Sequence, residues 1–89
     1  MHILYAKSFA KDLGAINHDL ATRKRLLKTI DKLKEINSLD ELQGIKKIQG
    51  YESYYRLRIG DYRLGIKLSG DTIELIRFLH RRDIYRRFP

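Results

Sequence analysis

The spacing of apolar residues changes once along the chain, near residue 53. His2-Ile3-Leu4-Tyr5 reads as a short strand. Phe9 and Leu13 then fall four apart on one face of a short helix that runs to about Ile16, with Ser8 placed to cap it. Gly14 weakens the end of that helix. Leu20, Leu26, Leu27, Ile30, Leu33 and Ile36 form the apolar stripe of a longer helix over residues 19–36, and the lysines and arginines between them face water. Ser38 and Glu41 have the spacing of a capping box, which opens a single helical turn. Residues 44–52, bracketed by Gly44 and Gly50, read as a loop.

From Ser53 the period is two. Tyr55, Leu57 and Ile59 point one way, and Tyr54, Arg56 and Arg58 the other. Gly60-Asp61 supplies a two-residue hairpin turn, since glycine accepts the positive φ such turns need. Tyr62, Leu64, Ile66 and Leu68 continue the apolar face, while Arg63, Gly65 and Lys67 continue the other. Gly70-Asp71 makes a second turn, and Ile73 to Leu79 reads as a strand buried on both faces. Residues 80–89 form a basic end with a short helical turn. The order is strand, helical hairpin, three-strand meander and basic turn. It predicts an α+β fold over residues 1–89, one domain, with two helices packed on one face of an antiparallel sheet.

Charge adds direction to this picture. The net charge is +8, which favours polyanions or acidic partners. Residues 56–89 alone carry net +5, and eight of their nine basic residues are arginines, whose forked donors suit phosphate. Hydrophobic residues make up 43% of the chain, enough for a compact core and too many for a disordered one. There is no cysteine, so no disulfide, thiol nucleophile or cysteine-ligated zinc is expected. His2, His18 and His80 share no ligand spacing, and neither a metal nor another cofactor is expected. No apolar run reaches the roughly 20 residues of a membrane span. The first residues lack the pattern of a signal peptide, so the expected compartment is the cytoplasm.

Hairpin register sharpens the reading. A two-residue turn at Gly60-Asp61 pairs Ile59 with Tyr62, Arg58 with Arg63, Leu57 with Leu64, Arg56 with Gly65 and Tyr54 with Lys67. Like charges directly across a sheet are destabilising, so Arg58 opposite Arg63 makes sense around an anion. Gly65 leaves bare backbone opposite Arg56, room for a ligand. The Gly70-Asp71 turn pairs Lys67 with Glu74 and Arg63 with Phe78, which places Ile76, Phe78 and His80 on the arginine face. The expected product is a basic groove with an aromatic floor, where phosphates meet Arg56, Arg58, Arg63, Lys67, Arg86 and Arg87 and bases meet Tyr54, Phe78 or Tyr85. Solvated arginines are common on small basic proteins, so the weight rests on three converging positions and the glycine gap. Arg77 falls on the helix-packed face, where a structural ion pair with an acidic helix residue is expected.

The segment Tyr55-Arg56-Leu57-Arg58-Ile59-Gly60-Asp61-Tyr62-Arg63-Leu64, followed by Arg77-Phe78-Leu79-His80-Arg81-Arg82-Asp83-Ile84-Tyr85, resembles the C-terminal half of RelE/ParE-family toxins. The strand and two helices before it extend the likeness over nearly the whole chain. In the RelE branch this resemblance implies metal-free mRNA cleavage on the ribosome, by attack of a 2′-hydroxyl on the adjacent phosphate. It implies roles in catalysis for Arg56, Arg58, Arg63, Arg81 or Arg82, and Tyr85. RelE itself has lysines where Arg56 and Arg58 stand. Arginine holds its proton too firmly to act as a base, so His80, of a residue type that titrates near neutrality, is the candidate proton carrier. The family also implies a cognate antitoxin lying over the groove or displacing the C-terminal turn, with a higher hetero-oligomer open as the form of that complex. Two other readings stay open: a ParE-like gyrase poison, and a non-catalytic RNA- or antitoxin-binding member of the fold.

Overall fold

The computed structural model describes all 89 residues. Strand β1 (His2–Tyr5) leads into helices α1 (Lys7–Ala15) and α2 (Leu20–Glu35), and a single 3-10 turn spans Leu39–Glu41. Strands β2 (Ile45–Lys47), β3 (Tyr54–Ile59), β4 (Tyr62–Ser69) and β5 (Thr72–His80) come next, and helix α3 (Arg81–Arg87) ends the fold. The five strands form one sheet in the order β1-β5-β4-β3-β2. All neighbours are antiparallel except β1 and β5, the first and last strands, which run parallel.

The helix ends obey local chemistry. Asp19 caps α2: its carboxylate accepts from the Thr22 backbone N–H at 3.1 Å and the Thr22 hydroxyl at 2.8 Å. These bonds hold the Asp19 carboxyl below its ordinary pKa. Ser38 and Glu41 form the expected capping box. Ser8 does not cap α1. The backbone N–H of Ala6 donates to the Leu75 carbonyl at 2.9 Å, so the chain passes from β1 to α1 without a linker and Ala6 occupies the cap position. The Ser8 hydroxyl, already inside the helix, donates to the Ile76 carbonyl at 2.6 Å.

Residues 44–52 are not all loop, because Ile45–Lys47 pairs with β3. Bonds from Arg58 N–H to the Gly44 carbonyl and from Ile48 N–H to the Tyr54 carbonyl, both 2.9 Å, extend that ladder at either end. They satisfy the edge of β3 that the meander alone leaves open.

The β3–β4 register is the one the turn predicts, pair for pair. The β4–β5 register begins as expected, with Lys67 opposite Glu74, and then shifts at Gly65/Ile66. Ile66 pairs with Leu75 and Gly65 with Arg77, leaving Ile76 as the extra residue of a bulge. Beyond the bulge Arg63 faces Leu79, not Phe78, and Phe78 pairs with Leu64.

Two apolar clusters hold the layers together. The main core lies between the helices and the sheet, with Phe9, Leu26, Ile30 and Leu33 against Leu57, Leu64, Ile66, Leu75 and Phe78. A smaller cluster of Leu79, Ile84 and Phe88 docks α3 on the other face, against Ile48, Tyr54 and Ile76. Arg77 meets the acidic helix residue expected of it: Nε and one Nη donate to Asp12 at 2.8 and 3.0 Å. The Phe78 backbone N–H adds a third bond to the same carboxylate, at 2.9 Å.

Candidate nucleic-acid interface

Three strands and the last helix build one basic groove. Pleating sends alternate side chains of each strand to the same face. Lys46, Arg56 and Gly65 therefore align across β2, β3 and β4, and Arg58 and Arg63 align one pair further along. The groove encloses about 360 Å³, and Lys46, Arg56, Arg58, Arg63 and Tyr85 line it with Gly44 and Ile45. Four cations and no carboxylate face the space.

Each cation is held differently. The Arg56 guanidinium lies 4.4 Å from the centroid of the Tyr85 ring, a cation–π contact that fixes both side chains. Arg63 turns one Nη to the Gly60 and Tyr62 carbonyls, at 2.9 and 2.8 Å. Those bonds spend part of its charge on the hairpin turn, and the rest of its fork lines the groove. Arg58 and Lys46 are exposed and make no salt bridge. Tyr85 remains 63% exposed, so one ring face is open to stack on a base.

The residues expected from sequence separate into two groups. Arg56, Arg58, Arg63 and Tyr85 converge. Lys67 and Tyr54 lie on the same sheet face, with the Lys67 ammonium 5.6 Å from the Tyr54 ring centroid, but they line no part of the groove. Phe78 is 1% exposed in the main core, so the aromatic floor expected there does not exist. The bulge at Ile76 turned it inward. His80 pairs with Tyr62 and packs edge-on against its ring, with centroids 5.6 Å apart, on the sheet face opposite Arg63. Its Nδ1 accepts from the Arg82 backbone N–H at 3.2 Å as the cap of α3. That placement removes His80 from the groove and leaves it without the expected shuttle role there.

Arg81 and Arg82 open α3 on its exposed side, and Arg86 pairs with Asp83 at 2.9 Å. Arg87 faces a second cleft, on the other side of α3. The glycine gap at Gly65 is also filled. A Cβ at Gly65 would lie 2.7 Å from the Phe88 ring, so the chain's own C-terminal aromatic occupies the space expected for a ligand. Lys46 was missed. Its strand has three residues, too few to display a period, and the flanking glycines read as loop. No group of three His, Asp or Glu side chains gathers where a metal could be held.

A helical hairpin over a five-strand sheet, with an acid-free basic groove beside a short C-terminal helix, defines the architecture of a small α+β toxin. The family model for the ParE toxin of type II toxin-antitoxin systems matches residues 3–85, and the chain belongs to that family. Within it the likeness is to RelE. Toxin RelE3 of Methanocaldococcus jannaschii is 48% identical over 90 residues, covering 100% of both chains. The RelB–RelE antitoxin–toxin complex from Methanococcus jannaschii superposes with a TM-score of 0.79 at 47% identity, covering 97% of this chain and 99% of that one. The archaeal RelE–RelB complex from Pyrococcus horikoshii shares the fold at 24% identity and a TM-score of 0.71, over 90% and 93% of the two chains. No helix is long and apolar enough to cross a membrane.

Proposed function

We propose that this protein is the toxin of a type II toxin-antitoxin pair, acts in the cytoplasm, and inhibits translation by cutting mRNA on the ribosome. The observation that carries the reading is the groove itself: Lys46, Arg56, Arg58 and Arg63 around a space of about 360 Å³ with no carboxylate, and an open tyrosine ring at its rim. In this mechanism Arg58 and Lys46 bind the non-bridging oxygens of the scissile phosphate, and Arg63 stiffens the turn while adding its remaining donors. Their positive charge stabilises the extra negative charge of the pentacoordinate transition state. Arg56 holds Tyr85, which stacks on a base and sets the 2′-hydroxyl in line with the phosphorus. The 2′-oxygen bonds to phosphorus and gives up its proton, the 5′-oxygen leaves and takes one up, and the products are a 2′,3′-cyclic phosphate and a 5′-hydroxyl. Solvent water accepts the first proton and supplies the second, and the cations of the groove serve the phosphate. The antitoxin complexes of the RelE relatives support a cognate antitoxin here as well.

The test is induced expression in a bacterium with primer extension on an abundant mRNA. New ends within translated codons, lost in an Arg58→Ala/Arg63→Ala variant and reduced in Tyr85→Ala, are the expected result. Full toxicity in the folded double variant would sink the groove assignment. The match to the ParE family model favours one second reading, a gyrase-directed poison, and growth arrest with intact mRNA would select it.

A further inference from the structure

The largest concavity of the molecule is not this groove. It is a cleft of about 550 Å³ on the far side of α3, between α1, β5 and α3. Its floor is the Arg77–Asp12 pair, locked by three hydrogen bonds and largely buried. Its rim carries Lys11 from α1, His80 from the end of β5, and Asp83 and Arg87 from one side of α3.

The donors and acceptors in this cleft do not balance. Asp12 has both oxygens filled by Arg77 and the Phe78 N–H, and Asp83 is turned to Arg86 at 2.9 Å. Each carboxylate therefore already has its own arginine. On the donor side Lys11 and Arg87 make no ion pair, and one Nη of Arg77 has no partner. His80 accepts at Nδ1 from the Arg82 N–H, which puts the proton of the neutral ring on Nε2 as a further free donor. Four donors without partners, against a single unengaged oxygen of Asp83, leave the cleft short of acceptors and make a site for an anion with several oxygens.

We infer that this cleft is a second RNA-backbone site, which grips a phosphate of the RNA on the opposite side of α3 from the cutting groove. The inference rests on the reading of the chain as an RNA-directed toxin and adds where else the RNA is held. One helix, about 10 Å across, separates the two sites. Tyr85 projects to one side of α3, and Asp83 and Arg87, four apart, project to the other. Exposed Arg81, Arg82 and Arg86 bridge the outer surface, so RNA crossing α3 meets positive charge throughout. The role of the cleft in this proposal is grip and orientation.

The test uses the full chain carrying Lys11→Gln/Arg87→Gln, both exposed positions, with Lys24→Gln/Lys28→Gln on α2 as a charge-matched control. Binding to a fluorescent RNA hairpin and to a fluorescent oligouridylate is measured by anisotropy across a salt series. The cleft variant is expected to bind about tenfold more weakly and to lose about two units of log–log salt slope on the hairpin, with unchanged melting temperature. The control is expected to lose clearly less. Equal effects of the two double variants would overturn the proposal. So would unchanged RNA binding with weakened antitoxin binding, which would assign the cleft to the protein partner. If mRNA proves uncut in cells while the cleft variant still loses RNA affinity, the cleavage reading fails and this site stands.

Discussion

Arg58 and Arg63 stand directly opposite one another, an arrangement that costs stability unless something relieves it. Arg63 is relieved by two turn carbonyls, whereas the exposed Arg58 has no protein partner. The two should therefore respond differently to truncation. Arg58→Ala is expected to leave the denaturant midpoint unchanged or slightly raised, within about 0.5 kcal/mol. Arg63→Ala is expected to cost about 1 kcal/mol through the lost bonds to the turn. Toxicity is expected to fall in both, so a growth assay beside chemical denaturation separates the functional charge from the structural one. Asp12 is the converse case, a carboxylate whose work is structural. Asp12→Ala strands a largely buried guanidinium and the Phe78 N–H, and is expected to cost about 3–5 kcal/mol in urea unfolding. The acidic helix partner of Arg77 was legible in the sequence, although the bulge sets Arg77 opposite Gly65 instead of the unshifted partner the turn predicts. The inward facing of Phe78 was not, because one extra residue at Ile76 flips the side chains beyond it and no residue type marks the bulge.

Helix α3 is short, and its hold on the sheet is concentrated in Ile84 and Phe88. The Phe88 ring rests on the bare backbone of Gly65, and this contact keeps Tyr85 beneath Arg56. Gly65→Ala is expected to push Phe88 away and loosen α3, and Phe88→Ala to release it by removing the ring. The two should not add: Gly65→Ala is expected to matter much less once Phe88 is alanine. Amide exchange over residues 81–87, with toxicity as a second readout, checks this. Equal effects of Gly65→Ala in both backgrounds would show that the ring does not anchor the helix. Helix α2 depends on a different device. Because Asp19 titrates below its ordinary range in the folded state, its charged cap stabilises the protein above the unfolded carboxyl's pKa and is lost as pH falls through the folded value. Asp19→Ala is expected to lower the Tm at neutral pH, Asp19→Asn to lower it less, and the gap from wild type to close as the solution is acidified through the carboxylate range. The helices and the β3–β4 hairpin were legible because each repeats its period over several turns or pairs. Strand β2 was not, because its three residues form a strand only when the open edge of β3 supplies their partners.

A chain of 89 residues with net charge +8 carries a self-repulsion that a polyanion relieves. The sequence could announce that imbalance and the arginine-rich half in which it concentrates. It could not show that α3 divides the positive surface into two concavities, since that depends on where Phe88 docks and on the bulge that sends His80 to the far face. A ligand that bridges both concavities holds α3 against the sheet, so its binding free energy adds to that of folding. At a concentration about 100 times its Kd, such a ligand contributes about 2.7 kcal/mol, which for a domain of this size raises the Tm by about 10 °C or more. A 2′-O-methylated oligonucleotide is a suitable probe, because it presents the same phosphates and cannot supply the attacking hydroxyl. The rise is expected to shrink steeply with added salt, as phosphate contacts require. It is expected to fall in Arg58→Ala/Arg63→Ala and to fall further when Lys11→Gln/Arg87→Gln is added. A salt-insensitive rise, or one that survives loss of all four cations, would mean that the oligonucleotide binds elsewhere and that neither concavity is where this protein holds RNA.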